Sequence, residues 1–332
     1  MIKDSVLKIL EQNKGTPVSG LTIGKELGVS RNAVWKSICQ LKEEGFSILS
    51  IPNRGYRLDE SEDVIRPEAI SALLSTRYLG RNFEVLDTID STNTYLKRIS
   101  DTLAGKHGYT VVALRQTAGK GRMQRQFYSP AQRGVYMSFY LEPHFTFQDI
   151  SLVTIIAVVA VCRAIEETAG FAPDVKWVND VLFHDKKLCG ILTEASVEAE
   201  SGQIKYLVTG IGININKDES LPEELQNIVG ALNEFSEHPC NRNLLIASIL
   251  NHFEALFELY LSGNRTEILR EYKQHLCVFH REYNIVSLNG SYPAVPVDID
   301  EEAHLIVRDQ NGVLHTLNSG EISIRKKNPD SQ

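Results

Sequence analysis

The run from Leu152 to Cys162, LVTIIAVVAVC, is apolar on nearly every side of whatever element it forms. A helix without a polar face has to be enclosed by other structure, so this chain must build a core deep enough to surround it. The run is far short of the roughly 18–20 residues that a membrane span requires. It reads as a buried helix capped by Ser151, and no membrane partner is expected. A length of 332 residues leaves room for roughly two or three domains around such a core.

Charge divides the chain unevenly. Apolar and charged fractions of 42% and 23% are ordinary for a globular protein. The net charge of −7 argues against coating nucleic acid through bulk charge. Residues 1–60, however, hold nine Lys/Arg and seven Asp/Glu, a balance of +2 that leaves −9 for the remainder. A mildly basic head on an acidic body permits a local DNA-binding module. The five cysteines, Cys39, Cys162, Cys189, Cys240 and Cys277, are odd in number and show no paired spacing. That argues against a disulfide framework or a zinc site and suits a reducing cytoplasm. The N-terminal MIKDSVLKIL alternates charged and apolar residues at helical spacing, unlike a secretory signal.

Within residues 1–60 the pattern is helix, helix, turn, helix, hairpin. Ser19 and Ser30 are placed to cap the second and third helices, Gly28 to turn between them, and Gly45 to stop the third. A strand from Phe46 to Ile51, a turn at Pro52–Gly55 and a second arm at Tyr56–Leu58 follow. This matches the layout of a helix-turn-helix with a wing, the alternative being a three-helix domain used for protein contact. Ser30, Arg31, Asn32 and Lys36 are positioned to face DNA, and Arg54 and Arg57 to reach its phosphates. An acidic stretch at 59–63 then reads as a linker into an α/β region spanning 64–277. Strands are expected at 83–89, 109–114, 135–141, 175–178, 181–184, 189–196 and 206–215, with helices capped by Asp90 or Ser91 and by Asn241. Residues 278–326 read as short strands with turns at Asn289-Gly290 and Asn311-Gly312, a small β-domain.

Two stretches carry the chemistry. In Gln116-Thr117-Ala118-Gly119-Lys120-Gly121-Arg122-Met123-Gln124-Arg125, glycines alternate with fixed cations, so backbone N–H groups and positive side chains can close around anionic oxygens. It is not a Walker A loop, since Gly121 follows Lys120 and Leu114 stands where the first glycine belongs. In Lys176-Trp177-Val178-Asn179-Asp180, followed by Lys187-Leu188-Cys189-Gly190-Ile191-Leu192, an amide, a carboxylate and a lysine fall around a hairpin. Together they suit activation of a small carboxylate by ATP.

With Ser91-Thr92-Asn93, Gly210-Ile211-Gly212-Ile213-Asn214 and Gly320-Glu321-Ile322-Ser323-Ile324-Arg325, these motifs stand in the order and spacing of a known family. The chain resembles bifunctional biotin–protein ligases that also repress the biotin operon. The resemblance implies an α+β multidomain fold. Its parts would be a winged helix-turn-helix (1–60), a class II synthetase-like mixed-sheet catalytic domain (64–277) and a small SH3-like β-barrel (278–326). It departs from the family at Val178, where proline is usual, at Lys120 in place of arginine, and at Phe127 in place of tryptophan.

The resemblance also implies roles. Ser91, Thr92, Asn93, Gln116, Lys120, Gly121, Arg122 and Lys187 would bind biotin. Gly119, Arg125, Phe127, Asn179 and Asn214 would bind the nucleotide, although Asn179 equally suits capping a turn, and Asn214, like Asn216, suits the ordering of a local turn better than contact with nucleotide. Arg122 and Lys187 would screen the carboxylate from the α-phosphate of ATP and stabilise the transition state. Asp180 would orient or deprotonate the acceptor lysine. Mg²⁺ would carry the triphosphate, with Asp180 a candidate for its water shell, and no protein-held transition metal is expected. Partners implied are the biotin carboxyl carrier protein, operator DNA and a second copy once the adenylate is bound. A catalytically weak ligand-sensing transcription factor, a ligase whose head does not regulate, and a lipoate ligase are the competing readings. Trp177 and Cys189 read as core residues.

Overall fold

The computed structural model describes residues 2–44, 46–59, 64–142, 146–147, 149–198, 200, 203–287, 290–318 and 323–326. The helix stop at Gly45, the acidic residues 60–63, Asn289 and residues 320–322 of the last motif lie outside the described residues.

Local signals build the head. Helices α1 (Ile2–Gln12), α2 (Gly20–Leu27) and α3 (Arg31–Glu43) precede a hairpin of β1 (Ile48–Ile51) and β2 (Gly55–Leu58). Ser19 accepts a hydrogen bond from Thr22 N–H and Ser30 from Ala33 N–H, so both serines cap their helices. Gly28 takes the left-handed conformation, φ 66°, that ends α2 and turns the chain into α3. Val6, Leu7, Ile23, Val34, Ile38 and Leu41 close a small core. The wing is pinned to the segment that enters α2, since Val18 and Tyr56 exchange both backbone hydrogen bonds at 2.8 Å.

Next come α4 (Pro67–Leu73), β3 (Phe83–Leu86), α5 (Thr92–Arg98), β4 (Thr110–Ala113), β5 (Gly134–Leu141) and α6 (Asp149–Ala169). Then follow β6 (Asp174–Lys176), β7 (Asp180–Phe183), β8 (Lys186–Val197), β9 (Ile204–Asn214), the short α7 (Glu223–Gln226), α8 (Arg242–Leu261) and α9 (Arg265–His275). The seven strands β3 to β9 form one sheet in the order β3-β4-β5-β9-β8-β7-β6. Only the β3–β4 pair in it is parallel. Helices α6, α8 and α9 cover one face, and α5 covers part of the other. As the apolar run demands, Leu152–Cys162 is almost wholly enclosed.

Two expectations need correcting. Helix α6 starts at Asp149, so Ser151 lies within its first turn. The carboxylate of Asp149 instead reaches back to the Thr146 N–H and hydroxyl, with the Tyr260 hydroxyl on its other oxygen. The strand expected at 175–178 ends at Lys176; Trp177, Val178 and Asn179 form the turn into β7, and the Trp177–Val178 peptide bond is cis. Val178 therefore sits in a turn, not a strand. Helix α8 is long and apolar enough to cross a membrane, but it is a core helix whose Leu245, Ile249, Phe253 and Phe257 are buried.

Buried polar groups knit the parts together. Asn241, the cap of α8, donates to the backbone carbonyl and carboxylate of buried Glu11 in the head. Asn243 holds Arg66 N–H and the Val64 carbonyl, and Glu254 accepts the backbone N–H groups of Arg77, Tyr78 and Leu79. Strands β10 (Tyr283–Ser287), β11 (Gly290–Ile299), β12 (Leu305–Asp309), β13 (Leu314–Leu317) and β14 (Ser323–Lys326) make an antiparallel sheet in the order β13-β12-β11-β10-β14. Its core residues join the central cluster, and the Trp177 indole donates to the Ala303 carbonyl at 3.1 Å. Trp177 is 4% exposed, a core residue as its sequence context indicates.

Candidate active site

A strip of the central sheet carries almost no side chains. Gly190 on β8 pairs directly with Gly212 on β9, and Leu192 with Gly210, while the alternate residues Cys189, Ile191, Ile211 and Ile213 point into the core. The strip floors an open cleft of about 1020 Å³. The absence of side chains is required: a Cβ at Gly210 would lie 2.2 Å from Asn93 Oδ1, and one at Gly212 2.5 Å from the Phe127 ring. Cys189 is fully enclosed, and burial pushes its thiol up, away from the nucleophilic thiolate.

The first turn of α5 forms one wall. Ser91 caps the helix toward Thr94 N–H. Thr92 donates its N–H to Gln116 Oε1 at 2.8 Å, and Gln116 in turn donates to Ser129 Oγ at 2.9 Å. Asn93 Nδ2 donates to the Leu192 carbonyl and to Glu194, whose partner is Lys97 at 2.7 Å. Burial pushes the Glu194 carboxyl up, but the hydrogen bonds from Lys97 and Asn93 outweigh it and hold the group below its usual range. Ser138 Oγ lies 2.6 Å from both Thr92 Oγ1 and Asn93 Oδ1. This wall is a polar network whose members orient one another.

The glycine–cation loop forms the roof. It closes as a tight hairpin: Gly121 N–H donates to the Arg125 carbonyl at 2.7 Å and Phe127 N–H to the Gly119 carbonyl at 2.9 Å. A Cβ at Gly119 would lie 2.4 Å from the Phe127 carbonyl, which explains a glycine there. Arg122 turns inward and donates to Asn179 Oδ1 at 3.1 Å. Burial pulls the Arg122 guanidinium below its usual range, against the opposing pull of Asp180. Asn179 is itself fixed by donating to the Ile191 carbonyl at 2.7 Å, and the buried Tyr272 hydroxyl holds the Val178 carbonyl. Lys187 Nζ and Asp180 Oδ1 meet at 2.5 Å across the β7–β8 pair. Arg122, Lys187 and Asp180 therefore share one cleft, with Asp180 the sole carboxylate among its described lining residues.

Phe127 lines this cleft, and Tyr136, which it meets, lines a second one. The Phe127 ring lies over Gly190 and Gly212 and meets Tyr136 edge-on at 6.4 Å between centroids. Tyr136, Arg133, Lys186, Asn214 and Gly230 line the neighbouring cleft, of about 1060 Å³. Asn214 belongs there and donates to the Lys187 carbonyl at 3.1 Å. Gly119 lines neither cleft and Asn214 only the second; every other residue expected to meet biotin or nucleotide lines the first. A Gly212→Val substitution would displace the Phe127 ring. We expect adenylate formation, followed as pyrophosphate release, to fall by about 10²-fold while the circular dichroism spectrum is kept. An unchanged rate would show that the bare strip is not needed.

In the head, Arg31, Asn32, Lys36 and Arg54 are exposed, whereas Arg57 is half-buried with its Nε enclosed and unpartnered. The Ser30 hydroxyl is engaged in capping α3. Sequence reasoning missed Ser129, Ser138 and Tyr272, which act through long-range hydrogen bonds that no local spacing reveals. It also missed the cross-strand match of Gly190 with Gly212; the alternate glycines at 210 and 212 were the available signal. Asp300, Glu302 and His304 bring ligand atoms within 4.8 Å of one another in the β11–β12 turn, but Asp300 is occupied by the Glu302 and His304 N–H groups.

Comparison with known proteins places this architecture. Residues 85–214 match the biotin/lipoate A/B protein ligase family, and residues 3–57 match a helix-turn-helix (HTH) domain. A Bacillus spizizenii protein described as bifunctional ligase/repressor BirA is 33% identical, the match covering 94% of this chain and 95% of that one. The chain belongs to the BirA family of bifunctional ligase/repressors. The Escherichia coli BirA is 28% identical over 92% of both chains. The solved structure of biotin protein ligase from Aquifex aeolicus in complex with biotin and ATP superposes with a TM-score of 0.63 at 27% identity, covering 74% of this chain and 100% of that one. Among BirA relatives, then, the ligase core and the HTH head both have their counterparts here.

Proposed function

We infer that the chain is an ATP-dependent biotin–protein ligase that doubles as a biotin-responsive repressor. The observation that carries this reading is the convergence of Arg122 and the Lys187–Asp180 pair over a floor in which Gly190 faces Gly212. Two anions must meet there. At an effective dielectric of about 20, unit charges about 4 Å apart repel by about 4 kcal/mol, a barrier that a guanidinium and an ammonium on the same site offset. The biotin carboxylate oxygen attacks the α-phosphorus, the bond to the β-phosphate breaks, and pyrophosphate leaves. The amine of an acceptor lysine then attacks the acyl carbon of biotinoyl-5′-AMP; AMP departs, and the nitrogen loses one proton, with Asp180 the nearest carboxylate to receive it.

The wall of Ser91, Thr92, Asn93 and Gln116 offers neutral donors and acceptors suited to the ureido ring, with Lys120 and Gly121 beside it. The purine lies toward Phe127 and Asn214, with Arg125 and Asn179 near the phosphates. Magnesium arrives with the triphosphate, because the cleft's carboxylate, Asp180, is already paired with Lys187 and makes no cage of its own. The C-terminal sheet is read as a small SH3-like barrel. The carrier domain of a biotin-dependent carboxylase is the acceptor, and the cytoplasm is the expected compartment. The bound adenylate favours a dimer whose two heads span two operator half-sites.

Incubating the pure chain with biotin and ATP labelled at the α-phosphate tests the ligase reading. Label should be retained as adenylate without a carrier domain, and be released as AMP with biotin on the carrier when one is added. Label never retained, and a carrier never biotinylated, would overturn it.

A further inference from the structure

The exposed face of α3 holds more than cations. Trp35 is 53% exposed, although the chain's other tryptophan is buried. On α3, Val34, Ser37, Ile38 and Leu41 are buried and fix the helix against the head, so it cannot roll to hide the indole. Trp35 shares its outward face with Arg31 one turn before it, Asn32 three residues before it, and Lys36 beside it. Among the described residues no ring stacks on it and no hydrogen bond reaches it. An amphipathic side chain of this size, left in water among groups suited to phosphates and base edges, is a contact surface awaiting its partner.

We propose that Trp35 is a specificity-determining residue of the head, reading the methyl group of a thymine in the major groove of duplex DNA. The proposal rests on the DNA-binding reading of the head and adds what that head selects. In the major groove only thymine presents an apolar group, its C5-methyl, and contact with it takes the indole out of water. Arg31, Lys36 and Arg54 supply the complementary charge that seats α3 against the phosphates. Contacts of the cations with phosphates position the helix and carry no sequence information, whereas the indole distinguishes one base pair from the others.

A duplex selected by the full chain from a randomised library, in the presence of biotin and ATP, is the probe. Trp35→Ala should bind that duplex about 10- to 100-fold more weakly, with binding to random-sequence DNA unchanged. Replacing thymines of the duplex one at a time by deoxyuridine removes only the methyl. At one thymine in each half-site the wild-type chain should lose as much affinity as the Trp35→Ala variant has lost, and that variant should not respond. With two tryptophans in the chain, the emission change on adding the duplex should vanish in the variant. An unaltered rate of biotin transfer by Trp35→Ala checks that it is folded. Equal affinity of variant and wild type for the selected duplex, or an equal loss on selected and random DNA, overturns the thymine reading. A chain that selects no duplex at all overturns the DNA-binding reading, and this inference with it.

Discussion

Replacing Lys187 by alanine is expected to slow adenylate formation by about 10²- to 10³-fold, with a smaller effect on half-saturation by biotin. The ammonium is placed by Asp180 at 2.5 Å, so its loss has two consequences of the same sign. It removes a cation from the point where negative charge gathers in the transition state. It also leaves the Asp180 carboxylate without its counter-ion beside two incoming anions, adding repulsion to lost attraction. The double variant Lys187→Ala with Asp180→Asn should therefore be faster than Lys187→Ala alone. Pyrophosphate release measured without a carrier domain reads the step directly, and a single variant as fast as wild type would remove Lys187 from the mechanism.

Asp180→Asn alone should divide the two half-reactions. Asparagine keeps an oxygen that can accept from Lys187, so the ammonium stays near its place and adenylate formation falls modestly. The side chain can no longer take a proton, and transfer from preformed adenylate to a carrier lysine should slow by about 10²-fold or more. Single-turnover transfer, compared with pyrophosphate release from the same preparation, measures the difference. Equal slowing of both steps would show that Asp180 acts only by holding Lys187.

The head was legible because its signals are local. Ser19, Gly28 and Ser30 each bond within a few residues of themselves, and the structure places all three as caps or turns. Helices α4 and α9 were not read from the chain. The first is short, has no capping side chain, and lies between the head and α8, where Ala69 joins one core and Ile70 the other. In α9 only Ile268, Leu269 and Tyr272 are buried, too narrow a stripe to stand out among charges. The start of α6 shifted for a related reason: Asp149 is held by Tyr260, a partner far along the sequence. At the site, the cation loop and the carboxylate and lysine around the hairpin read as an anion pocket, and the structure brings Arg122, Asp180 and Lys187 into one cleft. That the Phe127 ring has room over the floor follows from sheet register, which places Gly190 opposite Gly212.

A crystal structure of the chain with biotin and a non-hydrolysable ATP analogue tests the central claim most directly. The Arg122 guanidinium and the Lys187 ammonium should both lie within hydrogen-bonding distance of the biotin carboxylate or the α-phosphate, over the strip made by Gly190 and Gly212. Both ligands bound with Arg122 and Lys187 turned to solvent would contradict it.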